Sequence, residues 1–466
     1  MRRLARGLAL APLAVLGACA LQPDYQRPAI KVADTWTNAA LAPAVPPLQA
    51  SDGWWTLLND AAVDRLVAAG LADNPTLAEA AARLEQARAE LSIRDAMRGP
   101  TLSANAGAQR ARDRAGAGET TASQSTASVG VGLAWELDLW RRVREGAAAA
   151  RYRLTASAAE AEAARLSVVG DIVDTSLALR ACDARTTLRD LDIVSRQTEL
   201  AVTRARLAAG SVSPVTLATA LGDLAAARTD RIAQDETCRH LVNSLSALSG
   251  LKGAEIQNLL ATSRTIAAPP PFTPALPATV LLDHPTVVAA EREVAARWSD
   301  IGVARAERLP RVDLAAALSD QWIRALGDSA SYGARSAGLS LNGPLLDGGA
   351  GAASVSGAEA RYREAAAHLD LTVRTLARDV EDALTAQQSA LARVDTSRDA
   401  LSATAFALEA NSARWRVGAI AQVELEASRR QYNQAQDSAV AAAADRARAW
   451  VALIRTTGAA SSRKNP

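Results

Sequence analysis

The sequence predicts a mainly α-helical protein in which a tandem repeat forms two long coiled-coil hairpins, each preceded by a pair of β-strands. Three observations predict this fold class. Segments about 210 residues apart resemble one another, long stretches lack proline, and short stretches before each long helical segment alternate apolar with small or polar residues. Together they indicate helices much longer than those of an ordinary globular domain.

The internal repeat is visible as matching segments. The letters ARYR occur at Ala150 and again at Ala360. At the same offset, NPTLAEAAARLEQA from Asn74 aligns with HPTVVAAEREVAAR from His284. A period this long indicates two copies of a whole structural unit and not a solenoid of short repeats.

The N-terminus reads as a bacterial export signal. Three arginines precede an apolar stretch from Leu8 to Leu16, which is too short for a transmembrane helix. The stretch ends in LGAC and resembles a lipobox, whose cysteine, Cys19, is acylated and becomes the mature N-terminus. The alternative is an ordinary signal peptide in which Cys19 is discarded.

The chain therefore divides into five predicted segments. They are a signal peptide at 1–18, a lipidated extension at 19–55, repeat 1 at 56–262, repeat 2 at 263–458 and a tail at 459–466.

Cys182 and Cys238 remain once Cys19 is assigned to the lipobox. In an exported protein, cysteines are expected to pair. The two positions are equally far from Gly210, a turn signal between two helical segments, so an antiparallel hairpin would place them side by side. A disulfide there would link the two helices; the alternative is two separate buried thiols.

The spacing of prolines defines the long helices. Only Pro214 interrupts the chain between Pro100 and Pro269, and no proline occurs between Pro344 and Pro466. Proline breaks helices, so these spans predict long helices in water that pack along their length. We place them at about 143–208, 214–249, 350–417 and 422–456. The first would be about 100 Å long.

Alternation of period two predicts four strands, at about 101–112, 127–139, 311–322 and 334–345. Strands of about ten residues with one apolar face are typical of outer-membrane barrels. Four strands cannot close around a lumen, and a membrane barrel with an open edge is forbidden. Several chains would therefore share one barrel; the alternative is a soluble hairpin on a helical scaffold.

Composition excludes several functional classes. Alanine dominates, aromatic residues make up 3% of the chain, and the net charge is +2. The sequence has no basic stripe interleaved with aromatic residues, which is the pattern that indicates nucleic acid binding. The histidines, His240, His284 and His368, are scattered, and no metal-ligand cluster, nucleophile constellation or phosphate-binding loop appears. We therefore expect no enzyme, metal or cofactor.

Several motifs together identify a family. They are the lipobox Cys19, PDYQRP from Pro23, WWTLLNDAAVDRLVAAGLADNPTL from Trp54, WELDLWRRVR from Trp135 and PLLDGG from Pro344, together with the glycine turns. In this combination the chain resembles the TolC-like outer-membrane factors of Gram-negative tripartite export systems, and among them the NodT-type efflux lipoproteins.

The resemblance implies a homotrimer in which each chain gives four strands to one 12-stranded outer-membrane β-barrel. The long helices would form an α-barrel across the periplasm. The implied partners are a periplasmic adaptor protein, an inner-membrane pump of RND type and outer-membrane lipid. The implied function is a passive exit duct, lipid-anchored in the cell outer membrane with a large periplasmic portion.

The resemblance also assigns residues to the periplasmic tip. The adaptor would contact two helical turns, at Gly210, Ser211 and Val212 and at Gly418, Ala419 and Ile420. The same glycines also fit ordinary helix capping.

A candidate periplasmic gate follows the second glycine. Many relatives narrow the closed tip with aspartates there, whereas this chain has Glu424 and Glu426, and Ala427 replaces the aspartate common nine residues after the glycine. An acidic ring would attract cations. The alternative is that these glutamates form a solvated helix face.

A second functional class remains open at this point. A periplasmic coiled-coil scaffold or adaptor lipoprotein would share the lipid and the helices without spanning the outer membrane. Paired alternating strands distinguish a channel from such a scaffold.

Overall fold

The computed structural model describes residues 23–30, 32–38, 53–113, 122–261, 266–272, 277–325 and 328–458. The predicted signal peptide, Cys19 and the C-terminal tail lie outside these residues. The elements follow one another as α1 (Ala61–Asp73), α2 (Pro75–Ala96), β1 (Thr101–Asp113), β2 (Ala122–Glu136), α3 (Arg142–Ala208), α4 (Pro214–Ser249), α5 (Gly253–Ala261), α6 (Pro277–Asp283), α7 (Pro285–Ala306), β3 (Arg311–Ala325), β4 (Asp328–Asn342), α8 (Ala350–Arg416) and α9 (Gln422–Thr457). The predicted mainly helical class with four strands is confirmed.

The long helices come in matched pairs. α3 and α8 have 67 residues each, and α4 and α9 have 36 each. Their ends lie within one residue of the predicted ends, because proline, glycine and capping residues act locally. None of the helices in the described residues is long and apolar enough to cross a membrane.

An aspartate precedes each of the two longest helices and caps its N-terminus. Asp138 accepts hydrogen bonds from the backbone amides of Val143 and Arg144, at 2.9 Å each. Asp347 accepts from the amides of Gly349 and Gly351 at 2.9 and 2.8 Å. A carboxylate at this position satisfies free amides and complements the helix dipole.

The four strands form one antiparallel sheet in the order β1-β2-β3-β4. The central pair, β2 and β3, joins the two repeats, and its register sets Gln124 opposite Ala325. β1 and β4 are the edges of the sheet.

β2 and β4 are shifted toward lower residue numbers relative to the prediction. β2 spans 122–136 instead of 127–139, and β4 spans 328–342 instead of 334–345. The polar beginning of β2 pairs with β1 although it lacks apolar alternation, because backbone pairing does not require it. Leu137 and Leu139 continue the apolar pattern, but the chain turns there to place Asp138 at the helix N-terminus.

The chain divides into two compact units. The first contains the sheet with the adjoining parts of α2, α3, α7 and α8. Its helical core includes Ile301, Ala304 and Ala358, with Trp298 and Tyr362 packed against them. In the same unit, the N-terminal segment is anchored by the Trp298 indole, which donates to the Pro23 carbonyl at 3.1 Å, and by a Tyr25–Glu291 hydrogen bond of 2.9 Å.

The second unit contains the tip-proximal parts of the long helices together with α1, α5 and α6. Trp54 and Trp450 pack together, each 1% exposed, with ring centroids 5.7 Å apart. Asp60 caps α1 and forms a 2.7 Å ion pair with Arg180, which is buried in α3. The segment that contains Trp54 and the start of α1 therefore packs against both α3 and α9.

Asn74 and His284, aligned in the two repeats, occupy equivalent structural positions. The Asn74 amide donates to the Leu248 carbonyl at 2.9 Å and accepts from the Thr76 amide. The buried His284 ring contacts the Arg455 carbonyl through Nε2 at 3.2 Å and accepts from the Thr286 amide at Nδ1. Each side chain thus caps one helix and binds the end of another.

His284 should make stability depend on pH. Burial lowers the pKa of His284, and an unfolded imidazole has a pKa of about 6.5. The neutral ring therefore stabilises the fold above that pH, and this contribution is lost as the pH falls through the folded-state pKa. We expect His284→Asn to reduce the loss of thermal stability between neutral and acidic pH, measured by circular dichroism in detergent.

His240 supplies the control, because its side chain is 71% exposed. The His240→Asn variant should keep the wild-type dependence on pH. Parallel melting-temperature profiles for the wild type and His284→Asn would contradict the prediction.

Candidate functional site

Two helical hairpins carry the predicted adaptor-contact and gate residues. We call α3 with α4 hairpin 1, and α8 with α9 hairpin 2. Gly210 and Gly418 end the first helix of each hairpin with φ of +68° and +73°. The amides of Ser211 and Ala419 each bond back to a helix carbonyl at 2.8 Å. Other residues adopt this left-handed conformation at a cost of about 1–2 kcal/mol.

The other predicted tip residues differ in exposure. Gly210, Ser211, Gly418 and Ala419 are exposed and Val212 is half-buried, but Ile420 is only 8% exposed. Next to the turns, two further apolar side chains are accessible, namely Val215 and Val417, at 73% and 80% exposure. The tips thus combine turn backbone with accessible apolar side chains.

A disulfide joins Cys182 of α3 to Cys238 of α4, with Cα atoms 5.6 Å apart. The Gln234 amide donates to the Cys182 carbonyl across the two helices at 3.3 Å. When α3 and α8 are aligned end to end, the matching positions of hairpin 2 hold Ala390 and Arg446. The covalent link therefore has no counterpart in hairpin 2.

Ion pairs connect the two hairpins along α3 and α9, and we call them the polar seam. Two of them are bidentate, which adds geometric specificity. The polar seam consists of Asp171–Arg455 at 2.8 Å and of the two bidentate pairs, Asp174–Arg448 at 2.8 and 3.0 Å and Arg185–Asp437 at 2.9 and 3.2 Å. Hydrogen bonding to the aspartates raises the pKa of Arg185 and Arg448.

Nearer the tips, four side chains form what we call the latch cluster: Ser195 and Glu199 of α3, and Glu426 and Arg430 of α9. The Ser195 hydroxyl donates to Glu426 Oε2 at 2.7 Å. The Arg430 guanidinium donates to Glu199 at 2.7 Å and reaches the Ser195 hydroxyl at 3.4 Å. The cluster therefore joins one hairpin to the other.

The structure separates the two predicted gate glutamates. Glu424 is exposed, whereas Glu426 is 0% exposed. Glu426 Oε1 accepts hydrogen bonds from Gln422 at 2.6 Å and from Arg429 at 2.8 Å. Residues two apart on a helix point in nearly opposite directions. In this conformation an acidic ring can include Glu424 but not Glu426.

The sheet has two chemically distinct faces. The polar face carries mostly small, hydroxyl and amide side chains, among them Ser103, Asn105, Gly130 and Gln321. On the other, the apolar face, directly opposed residues include Ala104, Val131 and Leu318 in one row. Alternation of this kind suits a wall between lipid and water.

The family follows from a comparison of the whole chain. The model of the outer membrane efflux protein family matches residues 66–251 and 276–459. The chain belongs to this family. This efflux protein is 31% identical to outer membrane protein OprJ of Pseudomonas aeruginosa over 430 residues, which cover 90% of this chain and 88% of OprJ.

Two further similarities agree with the assignment. Nodulation protein T of Rhizobium leguminosarum bv. viciae is 26% identical over 438 residues, covering 93% of the efflux protein and 89% of that relative. A crystal structure of a membrane protein from Pseudomonas aeruginosa has a TM-score of 0.80 at 29% identity, covering 94% and 100% of the two chains.

The expected function and location are confirmed by the family and its relatives. The efflux protein is an outer-membrane channel of a tripartite efflux system, with a large periplasmic portion. Its family is one of efflux proteins and not of enzymes.

Sequence reasoning missed most of the latch cluster. Glu426 and Arg430 are four residues apart, a spacing that predicts a local ion pair on one helix. Instead Arg430 binds Glu199, more than 200 residues away in the sequence. No local pattern identifies such a partner.

The disulfide should stabilise this efflux protein substantially. Cys182 and Cys238 are 56 residues apart in sequence. Disulfides typically stabilise a fold by about 2–4 kcal/mol, and more for longer loops. Cys182→Ala/Cys238→Ala should therefore melt well below the oxidised wild type. Reductant should lower the wild-type melting temperature toward that of the double variant and leave the variant unchanged.

A free thiol assay on the denatured, unreduced protein provides the check on oxidation state. Two reactive thiols from Cys182 and Cys238 in the exported protein would contradict the prediction.

Proposed function

We propose that three copies of the chain assemble into one exit duct, with a 12-stranded barrel in the outer membrane. The sheet carries this proposal. β1 and β4 are its edges, and it has an apolar face along four strands. Unpaired edges are not tolerated in lipid, and pairing β4 of one chain with β1 of the next satisfies both.

The helical hairpins then extend into the periplasm and form the wall of the duct. Two hairpins per chain give 12 helices in the trimer. Acylated Cys19 would add a lipid anchor at the N-terminus. The duct performs no chemistry, so energy for export comes from the partner pump.

The accessible tips are the proposed contact for the periplasmic adaptor, which would link the duct to an inner-membrane pump of RND type. The two turns have the same backbone geometry and expose Val215 and Val417 beside them. An apolar helical partner could bury these side chains. A preference of the adaptor for an open tip would shift the channel toward that state.

The latch cluster is the proposed gate of the duct. It holds α9 against α3 through Ser195–Glu426 and Glu199–Arg430, close to the tips. Both contacts are hydrogen bonds to a carboxylate, and bonds to charged groups contribute about 1.5–3 kcal/mol each. The proposed gate therefore depends on contacts between the hairpins. Of the two glutamates, only the exposed Glu424 can contribute to an acidic ring at the entrance.

Single-channel conductance in planar bilayers tests the proposal. The wild type should migrate as a heat-resistant trimer and form pores of low resting conductance. Ser195→Ala/Arg430→Gln removes the latch-cluster hydrogen bonds between the hairpins and leaves the polar seam intact, so the open fraction should rise about tenfold.

Glu424→Gln is the matched control, because Glu424 is exposed on α9, the helix that carries Glu426 and Arg430. It should leave the open fraction unchanged and alter only cation block. Well-folded protein without pores would instead favour a periplasmic scaffold, and a dominant effect of Glu424→Gln would favour the acidic ring over the latch.

A further inference from the structure

Arginines interrupt the apolar face of the sheet. On the described strands this face carries Arg110, Arg112, Arg324 and Arg335, against one acidic residue, Asp320. An arginine facing lipid costs about 2–4 kcal/mol at the bilayer midplane and about 0–1 kcal/mol near the interface. Three of the four lie toward the ends of the strands farthest from the long helices, where that cost is small.

Two of these arginines share one row of the sheet. Arg110 lies opposite Ser125, Ser125 opposite Arg324, and Arg324 opposite Ser329. Directly opposed residues of an antiparallel sheet project from the same face, and the two arginines are two strands apart, about 10 Å. The row therefore presents two guanidinium groups and two hydroxyls together.

The next row toward the helices has a different character. It contains Ala108, Ala127, Trp322 and Ser331. Trp322 is 47% exposed, and its neighbours in the row are small. Such an aromatic side chain suits the boundary between acyl chains and headgroups.

A cavity of about 590 Å³ lies across these two rows. Its remaining lining residues, Gln109, Thr126, Ile323 and Ala330, form the row between them. Side chains of that middle row project from the polar face. Arg110, Arg324 and Trp322 also line the cavity, which we call the outer-row pocket.

We propose that the outer-row pocket binds the phosphate-bearing headgroup of an anionic lipid of the outer leaflet. The proposal rests on the proposed function, since it requires the apolar face to meet lipid. The guanidinium groups of Arg110 and Arg324 match phosphate oxygens in geometry and charge. The serine hydroxyls complete the polar side, and Trp322 packs where the headgroup meets the acyl chains.

The composition of the pocket favours a lipid over free phosphate. Trp322, Ala108 and Ala127 offer an apolar surface that an inorganic ion would leave unfilled. Asp320 does not neutralise the arginines, because Trp322 lies between it and Arg324 along β3. A Cβ atom placed on Gly333 would lie 2.9 Å from Asp320 Oδ1, so this carboxylate lies over β4 instead.

Native mass spectrometry of the detergent-solubilised full-length protein tests the site, with diphosphoryl lipid A as the probe. The wild type should retain this lipid, and Arg110→Gln/Arg324→Gln should bind it about tenfold more weakly. Phosphatidylcholine should bind both proteins equally weakly. The charge-matched control is Arg239→Gln/Arg398→Gln, which removes two exposed helical arginines and should bind as the wild type does.

Equal retention of lipid A by the wild type and the pocket variant would overturn the site. So would inorganic phosphate binding as tightly as the lipid. Conductance separates this proposal from the proposed function. If the protein forms normal pores but retains lipid A without Arg110 and Arg324, the pocket alone is overturned. If lipid A retention depends on these arginines but no pores form, the channel is overturned and the pocket is kept.

Discussion

The backbone groups at the edges of the sheet impose the constraint on which the assembly depends. β1 and β4 each pair with a neighbour on one side within the chain. In lipid, every backbone group left without a partner costs several kcal/mol. In the proposed assembly, pairing with further chains satisfies both edges, and the number of chains that close the barrel also sets the number of hairpins.

The long helices follow a second physical rule, in which small side chains allow close approach and polar side chains provide specificity. A Cβ atom on Gly170 would lie 2.3 Å from Arg455 Cδ, so glycine there lets Arg455 cross α3 and reach Asp171. Alanine-rich surfaces alone would allow the helices to slide along one another. The ion pairs of the polar seam fix one register because each guanidinium has a defined carboxylate partner.

Local signals and tertiary contacts explain what the sequence could and could not predict. The ends of the long helices depend on prolines, glycines and aspartate caps, so they were predicted to within one residue. The bounds of β2 and β4 lie three to six residues before the predicted ones. At the end of β2, apolar alternation continues through Leu139 although the chain already turns there. The latch cluster could not be predicted, because Glu199 and Arg430 meet only when two hairpins pack.

The two repeats have diverged in the features that stiffen a hairpin. Hairpin 1 has the disulfide, and Ser213 caps α4 by accepting from the Thr216 amide. Hairpin 2 has Ala421 at the matching cap, with no side-chain hydrogen bond. Ion pairs and hydrogen bonds connect α9 of hairpin 2 to α3, and their carboxylates Glu426 and Asp437 are buried. The chain therefore combines a hairpin reinforced by a covalent link with one joined to α3 by non-covalent contacts, and the proposed gate lies among the latter.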